Sequence, residues 1–163
     1  MHQDAASSQK LHNTYYCLRH GTSIPNIQKI IVSSVANGTS ELNGLAEEGL
    51  KQAQSVNIDS LLAKHDDTQF KRVVFLSSDF SRARQTAAIV WSRLRNKIQD
   101  SILQQANDSL QNIEDVVPPL ELRAELRERF FGDLEGTSNA NYDRVWEFDA
   151  MSNISESSSS GGL

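Results

Sequence analysis

Apolar and polar positions alternate in blocks along this 163-residue chain. Tyr15-Tyr16-Cys17-Leu18 is a short apolar run ended by Gly21, and Val73-Val74-Phe75-Leu76 is a second, ended by a polar turn. Runs of this length, bounded by turn residues, read as short buried strands. Between them, residues 44–64 carry Leu50, Ala53, Ile58, Leu61 and Leu62 at helical spacing, with Gly49 as a weak point. Residues 82 to about 105 read as a further helix. Ala87, Trp91, Leu94, Ile98 and Ile102 step by four, three, four and four, which is the stripe of a buried face. Trp91 is read there as core. Val116-Val117-Pro118-Pro119 reads as an extended approach to Leu120-Glu121-Leu122, and Pro119 argues for an edge or entry position. Strands alternating with helices predict an α/β fold, a three-layer α/β/α sandwich.

The polar stretches divide the chain. Residues 1–13 read as a flexible leader, 14–150 as the folded domain, and 151–163 as a Ser-rich, disordered tail with too little apolar surface to order itself. Residues 22–42 form a long connection with Ile30-Ile31-Val32 at its centre, and loops of that length commonly serve function.

Composition then removes several classes. The formal net charge is −5, so there is no general basic footprint for nucleic acid. The arginines cluster at 82–95 and 123–129, either as solvated helix faces or toward an anionic substrate. No run approaches a membrane span, and no apolar signal core precedes the domain. A cytoplasmic location is the default expectation, with no membrane partner. The lone Cys17 excludes an intramolecular disulfide and is read as a small buried hydrophobe. No Cys/His cluster has metal-ligand spacing, so neither a metal nor another cofactor is expected.

The candidate chemistry sits at the ends of the predicted strands. Arg19-His20-Gly21-Thr22-Ser23 follows the first run, at the strand mouth where open α/β sheets place ligands. A guanidinium grips phosphate oxygens in a fork. Beside an imidazole it also favours the neutral, nucleophilic form. Ser77-Ser78-Asp79-Phe80-Ser81-Arg82-Ala83-Arg84-Gln85-Thr86-Ala87 follows the second run, with an Arg in the first turn of a helix, a ready anion site. Asp79 is read either as a helix cap or as a substrate contact. Arg127-Glu128-Arg129-Phe130-Phe131-Gly132-Asp133-Leu134-Glu135-Gly136 places a carboxylate between two cations before a glycine-punctuated loop.

These three segments, in this order, together with Asn43-Gly44-Leu45-Ala46-Glu47-Glu48-Gly49-Leu50-Lys51-Gln52-Ala53, closely resemble the histidine phosphatase superfamily, the phosphoglycerate-mutase-like proteins. The resemblance covers about residues 14–150. It implies the family's three-layer sandwich and a small phosphorylated substrate. It also implies His20 as the phosphorylated nucleophile and Arg19 and Arg82 as phosphate grips. Asn26 would be a further phosphate contact, although after Pro25 it also fits simple turn chemistry. Thr22 and Ser23 would be loop hydrogen-bond donors. Glu128 would be the acid that protonates the leaving oxygen and then the base that activates water. Arg127 and Arg129 would oppose that role unless they point away or burial outweighs them. Glu135 is read as a loop residue and Arg84 as a solvated charge.

One family feature is missing. The family pattern has a second His after the acid, but the chain's four histidines are His2, His12, His20 and His65, and none follows Glu128. The expectation is therefore a C-terminally truncated relative that lacks one or more sheet strands, whether as a fragment, an alternative transcript with an unrelated tail or a true truncated relative, with weak or no turnover on its own. The leading reading is a phosphomonoester hydrolase. The alternatives are a non-catalytic phospholigand-binding or regulatory relative, and a phosphosugar mutase-type enzyme. Oligomeric state and substrate identity are left open.

Overall fold

Strands β1 (Leu76–Ser77) and β2 (Glu121–Leu122) pair in parallel, with Leu76 opposite Glu121 and Ser77 opposite Leu122. They belong to a computed structural model that describes residues 13–62, 72–104 and 112–159. The pairing extends on either side of the two-residue strands. Val73 N donates to Val116 O, Glu121 N to Phe75 O and Arg123 N to Ser77 O. Parallel strands need a long crossover, and here it contains the 24-residue helix α5, defined below. The architecture is thus a helix-rich α/β fold with a small parallel sheet.

The connection after His20 is structured rather than loose. Helix α1 (Ile24–Gln28) starts at Ser23, whose hydroxyl accepts from Asn26 N while the Asn26 side chain accepts from Ser23 N. This reciprocal capping, with Pro25 in the first turn, fixes the helix start. Helix α2 (Val35–Gly38) is capped by Ser34, and a 3-10 turn (Glu41–Asn43) by Ser40. Ile31 and Val32 are buried between these turns.

The helix predicted over 44–64 is two helices, α3 (Glu47–Ser55) and α4 (Ile58–Leu62). The break falls at Val56-Asn57, because the Asn57 side chain accepts from Ser60 N and so caps a new helix. Gly49 is not a weak point. A Cβ there would lie 2.1 Å from Thr22 O, so only glycine allows the chain after His20 to cross α3 this closely.

Helix α5 (Ser81–Gln104) matches its sequence pattern. Val90 and Leu94 pack with Ile58 as the buried cluster, and Val56, Leu61, Val73, Phe75 and Ile98 close around it. Trp91 is half-buried, and its indole N–H donates to Pro118 O at 2.9 Å. Its ring therefore flanks the core, and its polar edge ties α5 to the approach of β2. That approach opens with a helical turn, α6 (Ile113–Val116), where the sequence predicts extended chain from Val116. Asn112 caps the turn through Glu114 N.

A further expectation changes. Residues 15–18 form no buried strand: Tyr15, Tyr16 and Leu18 are 62%, 46% and 55% exposed, and Cys17 is exposed too. The apolar run records a preference for burial. A strand forms only where a neighbouring layer meets it, and among the described residues the sheet consists of β1 and β2. At the other end, helix α7 runs over Tyr142–Ser159. Residues 1–12, His65 and the last four residues lie outside the described residues.

Candidate active site

His20 owes its environment to the backbone that follows it. Gly21 is buried, and a Cβ there would lie 2.6 Å from Gly49 O. Gly21 N donates to Thr86 Oγ1 at 3.1 Å, and that hydroxyl donates to Arg82 O at 2.8 Å. The chain after His20 is thereby fastened to the first turns of α5.

The His20 ring is half-buried, with Nδ1 2.8 Å from the carbonyl of Gly21. A carbonyl only accepts, so Nδ1 carries the proton and Nε2 holds the lone pair. Burial lowers the His20 pKa below the usual 6.5. The Gly21 hydrogen bond opposes this, the Arg82 and Arg19 charges reinforce it, and Glu128 opposes it. The result is a neutral imidazole with a free Nε2, the state in which histidine is a nucleophile.

Arg19 and His20 line a recess of about 310 Å³ with Thr22, Asn26 and Gln52. Thr22 donates to Gln52 Oε1 from its backbone N at 2.9 Å and from its hydroxyl at 3.2 Å. Ser23 is buried, and its N and Oγ both donate to Asn26 Oδ1. Asn26 is thus a helix cap, which is the turn chemistry its sequence context offered, and it also borders the recess.

Arg82 is the buried charge of the region, 5% exposed. Its Nη2 donates to Val32 O at 3.1 Å and to Glu128 Oε2 at 2.8 Å. Its Nη1 is buried with no hydrogen-bond partner among the described residues. A buried donor without a partner costs free energy. The Phe80 ring lies 5.2 Å from the guanidinium carbon and adds a cation–π contact.

Glu128 therefore pairs with Arg82 and not with its sequence neighbours. Arg127 forks onto Asp79 at 2.7 and 2.5 Å, and Arg129 onto Asp149 at 3.3 and 2.7 Å. Asp79 is accordingly an ion-pair partner. The Arg127 hydrogen bonds hold its carboxyl below the usual range. Arg84 lies away from the site, paired with Glu41.

Tyr142 completes the environment of Glu128, donating its hydroxyl to Oε1 at 3.2 Å. Burial pushes the Tyr142 phenol up to about 12, reinforced by the charge and hydrogen bond of Glu128. It remains a donor at any ordinary pH.

Glu135 does more than fill a loop. Its carboxylate accepts from the N and Oγ of Ser33, the N and Oγ of Ser34, and Asn37 Nδ2, all within 3.0 Å. Burial alone would raise its pKa, but the bonds from Asn37, Ser33 and Ser34 outweigh that and hold it at about 2. This strap joins the loop that follows Glu128 to the segment that follows Val32, the two stretches that supply the acceptors of Arg82. Sequence reading did not single out Gln52, Thr86, Tyr142 or the role of Glu135. Gln52 and Thr86 stood inside recognised motifs, and Thr86 lies one helical turn after Arg82. Tyr142 carried no local signal.

A buried arginine, a neutral histidine and a carboxylate paired with that arginine thus lie in one region of the fold. The family model of the histidine phosphatase superfamily (branch 1) matches residues 15–102. That is more than half of the chain, which therefore belongs to this superfamily. Two solved structures are similar to it, each 21% identical over 77% of this chain. One is a mycobacterial glucosyl-3-phosphoglycerate phosphatase in complex with VO3 (TM-score 0.45), and the other is mycobacterial hydrolase 1 (TM-score 0.44). The aligned part spans less than half of each of those proteins, 45% and 44%. No curated protein matches the chain. Among the described residues, no helix is long and apolar enough to cross a membrane.

Proposed function

We propose that this chain is a phosphomonoester hydrolase that works through a phosphohistidine at His20. In this reading Nε2 attacks phosphorus and the P–O bond to the alcohol breaks. Glu128, protonated before this step, gives that proton to the leaving oxygen and becomes the carboxylate that Arg82 and Tyr142 hold. Water then attacks the phosphohistidine, returning a proton to Glu128, and inorganic phosphate leaves with His20 restored. Arg19 and Arg82 neutralise the phosphoryl oxygens, the main demand of phosphoryl transfer. The observation that carries the reading is the neutral His20 ring, its Nδ1 held by Gly21 O. The vacant Nη1 of Arg82 supports an oxyanion as its neighbour. Thr22, Ser23 and Asn26 shape the loop beneath it. The parallel β1–β2 pair with α5 in its crossover supports a three-layer α/β/α arrangement for the domain.

The test is a trapping experiment. Incubation with acetyl phosphate and a quench that avoids acid should give one phosphohistidine, at position 20, by mass spectrometry. His20→Ala should abolish it and His65→Ala should not. A label that survives His20→Ala would remove the assignment.

A second reading is favoured by the Glu128 carboxylate being held on both oxygens, by Arg82 and by Tyr142. A phospholigand-binding relative would bind vanadate or phosphate through Arg19 and Arg82, yet form no label and release no product. The substrate is taken as a small phosphorylated molecule in either case. A mutase-type reaction would instead return the phosphoryl group to a second hydroxyl of the product.

A further inference from the structure

Beyond Glu128, on the side away from Arg82, the site runs into ring faces. Tyr142, bonded to Glu128 Oε1, stacks on Trp146 with centroids 6.0 Å apart and planes 12° apart. Phe131 meets Tyr142 edge-on at 5.1 Å. The Arg129 guanidinium lies 5.1 Å from the Phe131 centroid and 5.6 Å from that of Trp146. Trp146 remains 54% exposed. Glu128 thus joins the buried cation on one oxygen to an aromatic ledge on the other.

We infer that this ledge is the leaving-group subsite, and that the preferred substrates are phosphomonoesters of alcohols bearing an aromatic ring. The inference rests on the hydrolase reading for one point, that the leaving oxygen faces Glu128. The leaving group is covalently joined to the phosphoryl group held at Arg82, so its next atoms must pass Glu128 toward Tyr142 and Trp146. The two polar side chains that touch the rings are already engaged, Arg129 with Asp149 and the Tyr142 hydroxyl with Glu128. A polyol, whose hydroxyls demand partners, finds few. A planar ring finds faces and a stacked cation, which suit offset or edge-to-face packing.

Calorimetry on the full chain with 2-phenylethylphosphonate and ethylphosphonate tests the subsite without turnover. The phenyl compound should bind about tenfold more tightly. Trp146→Ala should remove most of that preference while changing ethylphosphonate binding by less than about twofold, and Trp146→Phe should retain part of it. Equal binding of the two phosphonates, binding of neither, or an equal loss of both in Trp146→Ala would overturn the inference. Should Trp146→Ala lose helical circular dichroism, the Trp146→Phe variant and the wild-type preference decide it. Hydrolysis of 2-phenylethyl phosphate and ethyl phosphate, whose leaving alcohols have similar basicity, tests the hydrolase reading separately. A retained binding preference with no turnover would end that reading and leave the subsite standing.

Discussion

Arg82 Nη2 and Glu128 Oε2 lie 2.8 Å apart although 46 residues separate them in the chain. The pair joins a buried cation to a carboxylate on the opposite loop, with the arginine side chain 6% exposed and the glutamate side chain 37%. The arginine spends one guanidinium nitrogen on this bond and keeps Nη1 open.

Arg82→Lys should therefore behave as a severe change. Lysine keeps the charge but not the fork, so it cannot serve Val32 O, Glu128 and an oxyanion in one plane. Vanadate affinity, measured by calorimetry, should fall at least about tenfold, in line with the loss of a charge-assisted hydrogen bond. Unchanged affinity would place the oxyanion away from Arg82.

Glu128→Gln keeps the shape of the side chain and removes its proton. Turnover of an alkyl phosphate should fall much further than turnover of an aryl phosphate, whose leaving oxygen needs less protonation. Equal losses on the two substrates would leave Glu128 as an ion-pair partner of Arg82 and nothing more.

Glu135→Ala would strip the acceptor from five donors. Ser33 is buried, so its hydroxyl and amide would have no ready replacement. We expect a loss of about 2–3 kcal/mol in urea melts, the range for a broken buried network. A Glu135→Ala protein as stable as wild type would mean that the strap is dispensable.

Acid stability follows from the same residue. The Glu135 carboxyl sits at about 2 in the folded chain against 4.5 ordinarily, so the unfolded chain binds a proton first. Its contribution is complete above about pH 4.5 and is lost as pH falls toward 2. His20, also held below its usual 6.5, acts with the same sign in a higher window. Its penalty begins as pH drops below 6.5. Urea midpoints measured from pH 7.5 to 3 should decline throughout. His20→Asn should flatten the upper part of the curve, and Glu135→Gln the lower part. Curves unchanged by either variant would contradict the assignments.

Gly49→Ala probes the packing beneath His20. The added Cβ would meet Thr22 O at 2.1 Å, and backbone cannot yield as a flexible side chain does. We expect a loss of about 2–4 kcal/mol, read as a lower urea midpoint. A neutral Gly49→Ala would show that Thr22 and α3 can separate.

Local chemistry was legible in the sequence. Helix α5 follows from periodicity, because an amphipathic face needs only a partner, not a particular one, although Val90 fills the core where Trp91 was read. Arg19, His20, Arg82 and Glu128 were marked by residue type and order within motifs, since the proposed gripping and attack on a phosphoryl group need those functional groups. Other features depended on which segments meet. Tyr15 to Leu18 look like a buried strand until the covering layer is asked for. Arg127 and Arg129 look like the neighbours of Glu128 until Asp79 and Asp149 take them. Gly49 looks like a flaw until Thr22 crosses it, and Glu135 like a loop residue until Ser33, Ser34 and Asn37 close on it. Tyr142 had no local mark at all. Hydrogen bonds and ion pairs form between atoms within about 3 Å, and only the tertiary path of the chain decides which atoms those are.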